Sequence, residues 1–336
     1  MKGLDLSIHM RIPFDQLTKE FNRILIAHGF NPHKAALCAR IFAENSRDGV
    51  YSHGLNRFPV FVELVREGVV KKDAEPETVD GSGLLEHWDG NGGAGMYNAN
   101  ICMERAIAIA KVHGIGLVVL KNTNHWMRGG TYGWQAAEKG CIGICTTNTI
   151  ANMPPWGGKE PRLGNNPLVI SVPHPDGHVV LDMAVSQFSY GALHEYKLDG
   201  KKLPVAGGYD EQGRLSNDPS SIYKSQRALP IGFWKGSGLS LVLDAMLTAL
   251  SGGRSVKAIT EGGVETGISQ LFIAIYQQDL HEDLIREIIA YTKSSAPAEN
   301  GGRISFPGEN TLRTRQENLR YGIPVNEKIW NDILKM

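Results

Sequence analysis

The distribution of strand-like segments along the chain constrains its fold more than any single motif. Both ends read as helical, and the strand-like runs are confined to the middle. Phe14 to His28 places Leu17, Phe21, Ile24 and Leu25 at the three-and-four spacing of one helix face, with Gly29 as a stop. Asn31 and Pro32 then form the start of a second helix. A third is expected from Ser52 to Glu67, kinked or shortened by Pro59. In the middle, Leu84 to Trp88, Ile115 to Leu120 and Ile142 to Thr147 read as strands, interleaved with helices at Met96 to His113 and Tyr132 to Glu138. Pro167 to Val172 and His178 to Met183 form an expected hairpin around Pro175-Asp176-Gly177. A long apolar helix covers Lys235 to Leu250, followed by a strand at Ser269 to Tyr276. The tail from His281 is mostly helical, with a short strand expected at Ile304 to Phe306.

This order predicts an α/β fold of the mixed, α+β-like kind. A helical domain built from both chain ends would wrap a mixed-sheet core. The expected division is 1–75 for the first helical part, 76–280 for the sheet domain and 281–336 for a helical part returning to the first. At 336 residues the chain is long enough to bury roughly three quarters of its unfolded surface, so it needs no disulfide or metal staple.

Charge narrows the partners. Lys plus Arg and Asp plus Glu both count 35, so there is no basic excess for nucleic acid. No apolar run approaches the ~18 residues of a membrane helix, and the N-terminus lacks the apolar stretch of a signal peptide. Cys38, Cys102, Cys141 and Cys145 form no C-x-x-C pair and read as buried thiols of a reducing cytoplasm. The histidines show no clustered ligand spacing, so no metal is expected.

Several segments carry chemistry. Gly90-Asn91-Gly92-Gly93-Ala94-Gly95 fits the dinucleotide pattern G-x-G-x-x-G, but the next strand ends in Lys121 with no acidic residue for a ribose. A glycine-rich turn is the simpler reading. In Tyr51-Ser52-His53-Gly54-Leu55-Asn56-Arg57, Ser52 can cap a helix and Arg57 lies one turn beyond His53. A guanidinium that grips a carboxylate beside an imidazole that moves a proton suits a 2-oxo acid. A surface capping segment has the same spacing, so both readings stay open. His125 and Arg128, after the strand ending near Leu120, repeat the pairing beside Trp126. Trp234 and Lys235 precede Gly236-Ser237-Gly238 at a helix start, where backbone N–H groups can approach phosphate.

Taken in order, YSHGLNRFP (51–59), NHWMRGGTYGWQAAEKG (124–140), PPWGGKEPRLGNNP (154–167), LDMAVSQFSYG (181–191), FWKGSGLSLVLD (233–244) and GISQLFIAI (267–275) span most of the chain. Together they resemble the malate/L-lactate dehydrogenase-2 family of nicotinamide-dependent oxidoreductases. The resemblance implies a non-Rossmann cofactor domain, a helical domain and a homodimer. It implies His53 as proton donor, with Ser52, Arg57 and His125 on the substrate. It assigns the cofactor to His178, Val179, Val180, Leu181, Asp182, Met183 and Ala184, to Trp234 and Lys235, and to Gly308, Glu309 and Asn310.

The implied reaction is hydride transfer from NADH, with NADPH left open, to the C2 carbonyl of a 2-oxo acid. The implied substrate is 2,3-diketo-L-gulonate, giving 3-dehydro-L-gulonate. Malate, L-lactate and ureidoglycolate are the alternatives within the family, and a non-catalytic nucleotide or sugar-acid binder is the alternative outside it. Asn165 replaces the family's usual Thr, Pro307-Gly308-Glu309-Asn310 stands where one branch has Pro-Gly-His-Glu, and Thr146 stands where that branch often has Trp. These departures bear on the substrate rather than on the redox class.

Overall fold

A computed structural model describes residues 10–298 and 302–336. β1 (Arg11–Ile12) leads into α1 (Phe14–Ala27) and α2 (Pro32–Arg47). Leu17, Phe21, Ile24 and Leu25 are all buried, as the helical spacing predicts. Asn31 caps α2 by accepting the Lys34 N–H at 3.0 Å, with Pro32 in the first turn where its missing donor costs nothing.

The third expected helix forms only in its second half. Tyr51–His53 and Leu55–Arg57 are separate short 3-10 turns, and α3 begins at Phe58 and runs to Arg66. Pro59 therefore sits in the first turn of α3 rather than kinking a longer helix. The break falls at Gly54, whose backbone packs directly on α2. A Cβ at Gly54 would collide with Ser46 Oγ and the Ser46 backbone nitrogen. Ser46 Oγ in turn accepts the Leu55 N–H at 2.8 Å, fastening the segment to α2.

The central sheet is built from β2 (Glu77–Ser82), β3 (Leu85–Asp89), β4 (Ile115–Thr123), β5 (Cys141–Thr147), β6 (Leu168–Val172) and β7 (Val179–Met183). α4 (Gly95–His113) connects β3 to β4, and α5 (Gly130–Glu138) connects β4 to β5. After β7 come α6 (Tyr190–Leu198), a small hairpin of β8 (Gly208–Tyr209) and β9 (Leu215–Ser216), and α7 (Pro219–Ser225). α8 (Trp234–Ser251), α9 (Val256–Glu261) and β10 (Ile268–Tyr276) complete the sheet region. α10 (Glu282–Lys293), α11 (Glu309–Tyr321), β11 (Ile323–Pro324) and α12 (Glu327–Leu334) follow. Residues 304–306 form no strand, contrary to expectation. Ser305 and Phe306 line a cavity instead.

The strand order is β2-β3-β4-β10-β5-β6-β7. β3 and β4 are parallel, and the other neighbouring pairs are antiparallel. The expected mixed sheet is thus present, and α4 supplies the crossover that a parallel pair requires. β10 is central and apolar on both faces. Phe272 and Ala274 join Val118 and Leu120 under α4 and α5, while Leu271 packs with Val119 and Leu247 of α8 on the other face.

The two chain ends share a core. Ile12, the apolar faces of α1, α2 and α3, and Ile323, Trp330 and Ile333 form one buried cluster, which continues into Met96 and Met127. Each fully buried residue such as Phe21 contributes ~1.5–3 kcal/mol. β1 pairs with β11, opposing Ile12 to Ile323. The Gly90–Gly95 run is a packed turn: Asn98 Nδ2 donates to Gly90 O at 3.0 Å, and Asn124 Nδ2 to Gly92 O at 2.8 Å. The Gly90, Gly92 and Gly93 N–H groups donate to Lys121 O, Asn122 O and Gly90 O, so the amides that a phosphate would need are committed, which favours the turn over a phosphate cradle.

Candidate active site

A cavity of about 790 Å³ opens between the 3-10 turns, the loop after β4, the end of β7 and the segment before α11. Its walls include Ser52, His53, His125 and Arg128 on one side. Val180, Leu181, Asp182, Met183 and Ala184, with Pro307, Gly308 and Asn310, complete it. Residues as far apart as Ser52 and Asn310 therefore meet in one space, and within it the last strand of the sheet and the start of α11 lie side by side. Val180 N–H donates to Pro307 O at 2.9 Å. Gly308 has φ of 98°, and a Cβ there would lie 2.8 Å from His178 O, so glycine is needed for this close approach.

His53 and His125 stack with ring centroids 5.7 Å apart and planes 22° apart. They come from different elements, one on the broken helix after α2 and one on the loop after β4. Asn45 holds the first in place by donating from Nδ2 to His53 O at 2.9 Å, and its Oδ1 accepts the Thr131 hydroxyl at 2.8 Å. Ser52 does not cap a helix. Its Oγ lies 3.1 Å from His53 Nδ1. With the hydroxyl donating, a neutral His53 carries its proton on Nε2. The Met127 N–H donates to His125 Nδ1 at 2.9 Å, so neutral His125 also carries its proton on Nε2.

Both imidazoles are pushed down to about 3. Burial is the leading cause for each; at His53 the neighbouring His125 and Arg57 add to it while Asp182 opposes it, and at His125 Arg57 adds to it. In the free protein at neutral pH they are uncharged hydrogen-bonding groups. Arg57 is not part of the cavity wall itself, but its charge acts on both rings and on Glu265. Among the described residues its guanidinium makes no hydrogen bond or ion pair, which leaves it available to an anion.

Arg128 is buried, and its Nη1 donates to Asp48 Oδ2 at 2.9 Å. Its Nε, 3.6 Å from Asp182 Oδ2, has no hydrogen-bond partner among the described residues. Asp182 Oδ2 instead accepts the Gly130 N–H at 2.8 Å. Burial raises the Asp48 carboxyl, but hydrogen bonding to Arg315 and the charges of Arg128, Arg315 and Arg47 outweigh it and hold the group below the usual carboxylate range.

Other expected site residues lie apart. Trp234 and Lys235 begin α8 at the surface, with Trp234 66% exposed, and neither lines the cavity. His178 and Val179 are also outside its wall, the His178 ring lying against Trp134 with centroids 5.6 Å apart. Glu309 is beside the cavity, but its carboxylate is bound by Lys293 at 2.6 Å and by Arg303. Asp48, Glu265 and Arg315 belong to the surroundings of the site yet carry no local signal: Asp48 reads as the end of α2, and Glu265 as part of a glycine-rich turn.

A sequence profile of the malate/L-lactate dehydrogenase family matches residues 12–334. A 2,3-diketo-L-gulonate reductase from Citrobacter koseri is 47% identical over 330 residues, covering 96% of this chain and 99% of that one. A protein of the same name from Escherichia coli is also 47% identical with the same coverage. Among solved structures, malate dehydrogenase from Entamoeba histolytica aligns with TM-score 0.92 and 25% identity, covering 97% of each chain. Sulfolactate dehydrogenase from Methanocaldococcus jannaschii aligns with TM-score 0.86 and 30% identity, covering 97% of this chain and 96% of that one. The chain belongs to the malate/L-lactate dehydrogenase family of oxidoreductases.

Proposed function

We propose that this protein is an NADH-dependent reductase acting at the C2 carbonyl of a 2-oxo acid, with 2,3-diketo-L-gulonate as substrate and 3-dehydro-L-gulonate as product. The observation that carries the reading is the stacked His53–His125 pair, with an uncommitted Arg57 acting on both rings at one end of a cavity closed by β7 and residues 305–308. The reductase names of the 47%-identical relatives support the choice of acid.

The cavity suits a nicotinamide cofactor. Its volume lies within the ~300–1,000 Å³ of small-molecule sites. The unpartnered Arg128 Nε is a buried donor on its wall, and Gly308 lets the start of α11 close against β7. Val180, Leu181, Asp182, Met183, Ala184, Gly308 and Asn310 would hold the cofactor, with Glu309 contributing through the start of α11 rather than a free carboxylate. When bound, the reduced nicotinamide supplies the hydride.

The protein supplies position and a proton. Arg57 pairs with the substrate carboxylate, whose negative charge opposes the depression that burial and the neighbouring charges impose on both imidazoles. His53 then takes up a proton and delivers it to the C2 oxygen as the alcohol forms. His125 donates its Nε2–H to a substrate oxygen and fixes the acid in register. In the oxidation direction, neutral His53 receives the same proton.

A homodimer is proposed on the strength of α8, whose apolar residues Trp234, Leu241 and Val242 are 66%, 59% and 60% exposed. A cytoplasmic setting agrees with four buried, unpaired cysteines. Among the described residues no helix is long and apolar enough to cross a membrane.

The test is a panel of 2-oxo acids with NADH and with NADPH, followed by loss of reduced-nicotinamide absorbance, with light scattering for the dimer. Turnover of 2,3-diketo-L-gulonate above malate's and lactate's oxo acids, and faster with NADH, is expected. Tight NADH binding with no turnover of any acid would make the protein a binder instead.

A further inference from the structure

Glu265 lies in the turn between α9 and β10, outside the residues assigned to substrate or cofactor. Its two carboxylate oxygens are in different situations. Oε2 accepts the Ile150 N–H at 3.1 Å, which anchors the side chain next to Thr149 of the cavity wall. Oε1 accepts no hydrogen bond from a described residue and lies 3.9 Å from His125 Nε2. Both side chains are 24% exposed, and His125 lines the cavity.

The Met127 bond to Nδ1 makes His125 Nε2–H a donor, and Glu265 Oε1, when ionised, is an acceptor. At 3.9 Å they are too far apart to satisfy each other. A single oxygen about 2.8 Å from each would bridge them. That oxygen must accept from the imidazole and donate to the carboxylate. A hydroxyl does both, whereas a carboxylate, a keto oxygen or a methyl group does not.

We propose that Glu265, paired with His125 across this gap, is a specificity-determining residue that selects 2-oxo acids with a hydroxyl-bearing tail and rejects those with a second carboxylate. The inference rests on the 2-oxo acid reductase reading of the site. A dicarboxylate would bring its second negative charge towards Glu265 and lacks the donor that Oε1 needs, whereas a polyhydroxylated acid meets both groups. Burial holds the Glu265 carboxyl above its ordinary value, outweighing the Ile150 N–H and the Arg57 charge, which lower it. Rejection of the wrong substrate thus comes from an unpaired, partly buried carboxylate, a discrimination that apolar contacts achieve poorly.

The experiment compares the full-length protein with Glu265→Gln on three acids: 2,3-diketo-L-gulonate, oxaloacetate and pyruvate. The amide oxygen of Gln still accepts the Ile150 N–H, so the turn keeps its anchor while the charge is removed. Thermal unfolding and NADH titration check that fold and cofactor binding persist. The expected result is a drop of about 10-fold or more in the ratio of kcat/KM for 2,3-diketo-L-gulonate over oxaloacetate, carried mainly by KM. An unchanged ratio, or an equal loss on all three acids including tail-less pyruvate, overturns the selectivity role while leaving the reductase reading intact. If the parent protein reduces none of the three, the reading of the site falls and this inference falls with it.

Discussion

Arg315 on α11 grips Asp48 at the end of α2 through two parallel hydrogen bonds, Nε to Oδ1 at 2.8 Å and Nη2 to Oδ2 at 2.7 Å. The same carboxylate accepts from Arg128 of the cavity wall at 2.9 Å. One buried acid therefore joins the N-terminal helices, the C-terminal helical part and the proposed active site. The Arg315 guanidinium also lies over the Trp134 ring, 4.6 Å from its centroid, which fixes its plane.

Removing the Asp48 charge leaves Arg128 buried without its partner. Asp48→Asn is expected to cost about 3 kcal/mol or more, the scale for breaking a buried ion pair. The pH dependence gives a second reading. The folded-state value of Asp48 is depressed, so its contribution is complete above the unfolded value of about 3.9 and is lost as pH falls through the folded value. The stability gap between parent and variant, measured by urea unfolding, should therefore be constant above pH ~5 and shrink below ~4. A gap that does not narrow would separate Asp48 from this electrostatic role.

His53→Gln removes the proposed proton donor while keeping a polar side chain of similar reach. The expected loss in kcat is ~10²–10⁴, the usual contribution of a positioned acid. NADH affinity, followed by fluorescence titration, should change little. Near-parental turnover with intact cofactor binding would exclude His53 as the donor.

The free site holds both imidazoles neutral, and the proposed mechanism needs one protonated. Binding of oxamate, a non-reducible 2-oxo acid analogue, to the NADH complex should therefore be accompanied by proton uptake that grows as pH falls from 7 to 5. Calorimetry in buffers of different ionisation enthalpy measures this directly. Arg57→Met should weaken oxamate binding, while the uptake per mole bound persists, because an unpaired carboxylate raises the imidazoles at least as much. Zero uptake by the parent would mean that His53 is not charged by the substrate.

How much of this was readable from sequence depended on the range of the interactions. α4 was legible because its signals are local: an apolar run from Met96 ending at Gly114. The β6–β7 hairpin was legible for the same reason, through its Pro-Asp-Gly turn. The helix expected from Ser52 to Glu67, kinked or shortened at Pro59, breaks instead at Gly54, because Gly54 meets Ser46, a contact that no local periodicity encodes. The apolar character of residues 304–306 suggests a strand, but Ser305 and Phe306 serve the cavity wall instead. The site motifs were visible because His53, Arg57 and His125 lie in short distinctive stretches. Asp48 and Arg315 are 267 positions apart, so neither announces the other.

The two depressed imidazoles also tie stability to acid. In the unfolded chain His53 and His125 titrate near ~6.5, but in the fold they do so at about 3. Between those values the unfolded state binds protons that the folded state refuses, so stability falls as pH drops from ~6.5 towards 3. The sign is that of histidines buried neutral, opposite to histidines held by an acidic partner. Unfolding free energy measured at pH 7.5 and at pH 5.0 should show a loss that is smaller in His53→Gln/His125→Gln than in the parent. The double variant is the informative comparison, because it removes both titrating groups while Asp48 and the other carboxylates remain. An equal acid loss in parent and double variant would assign the sensitivity to those carboxylates instead.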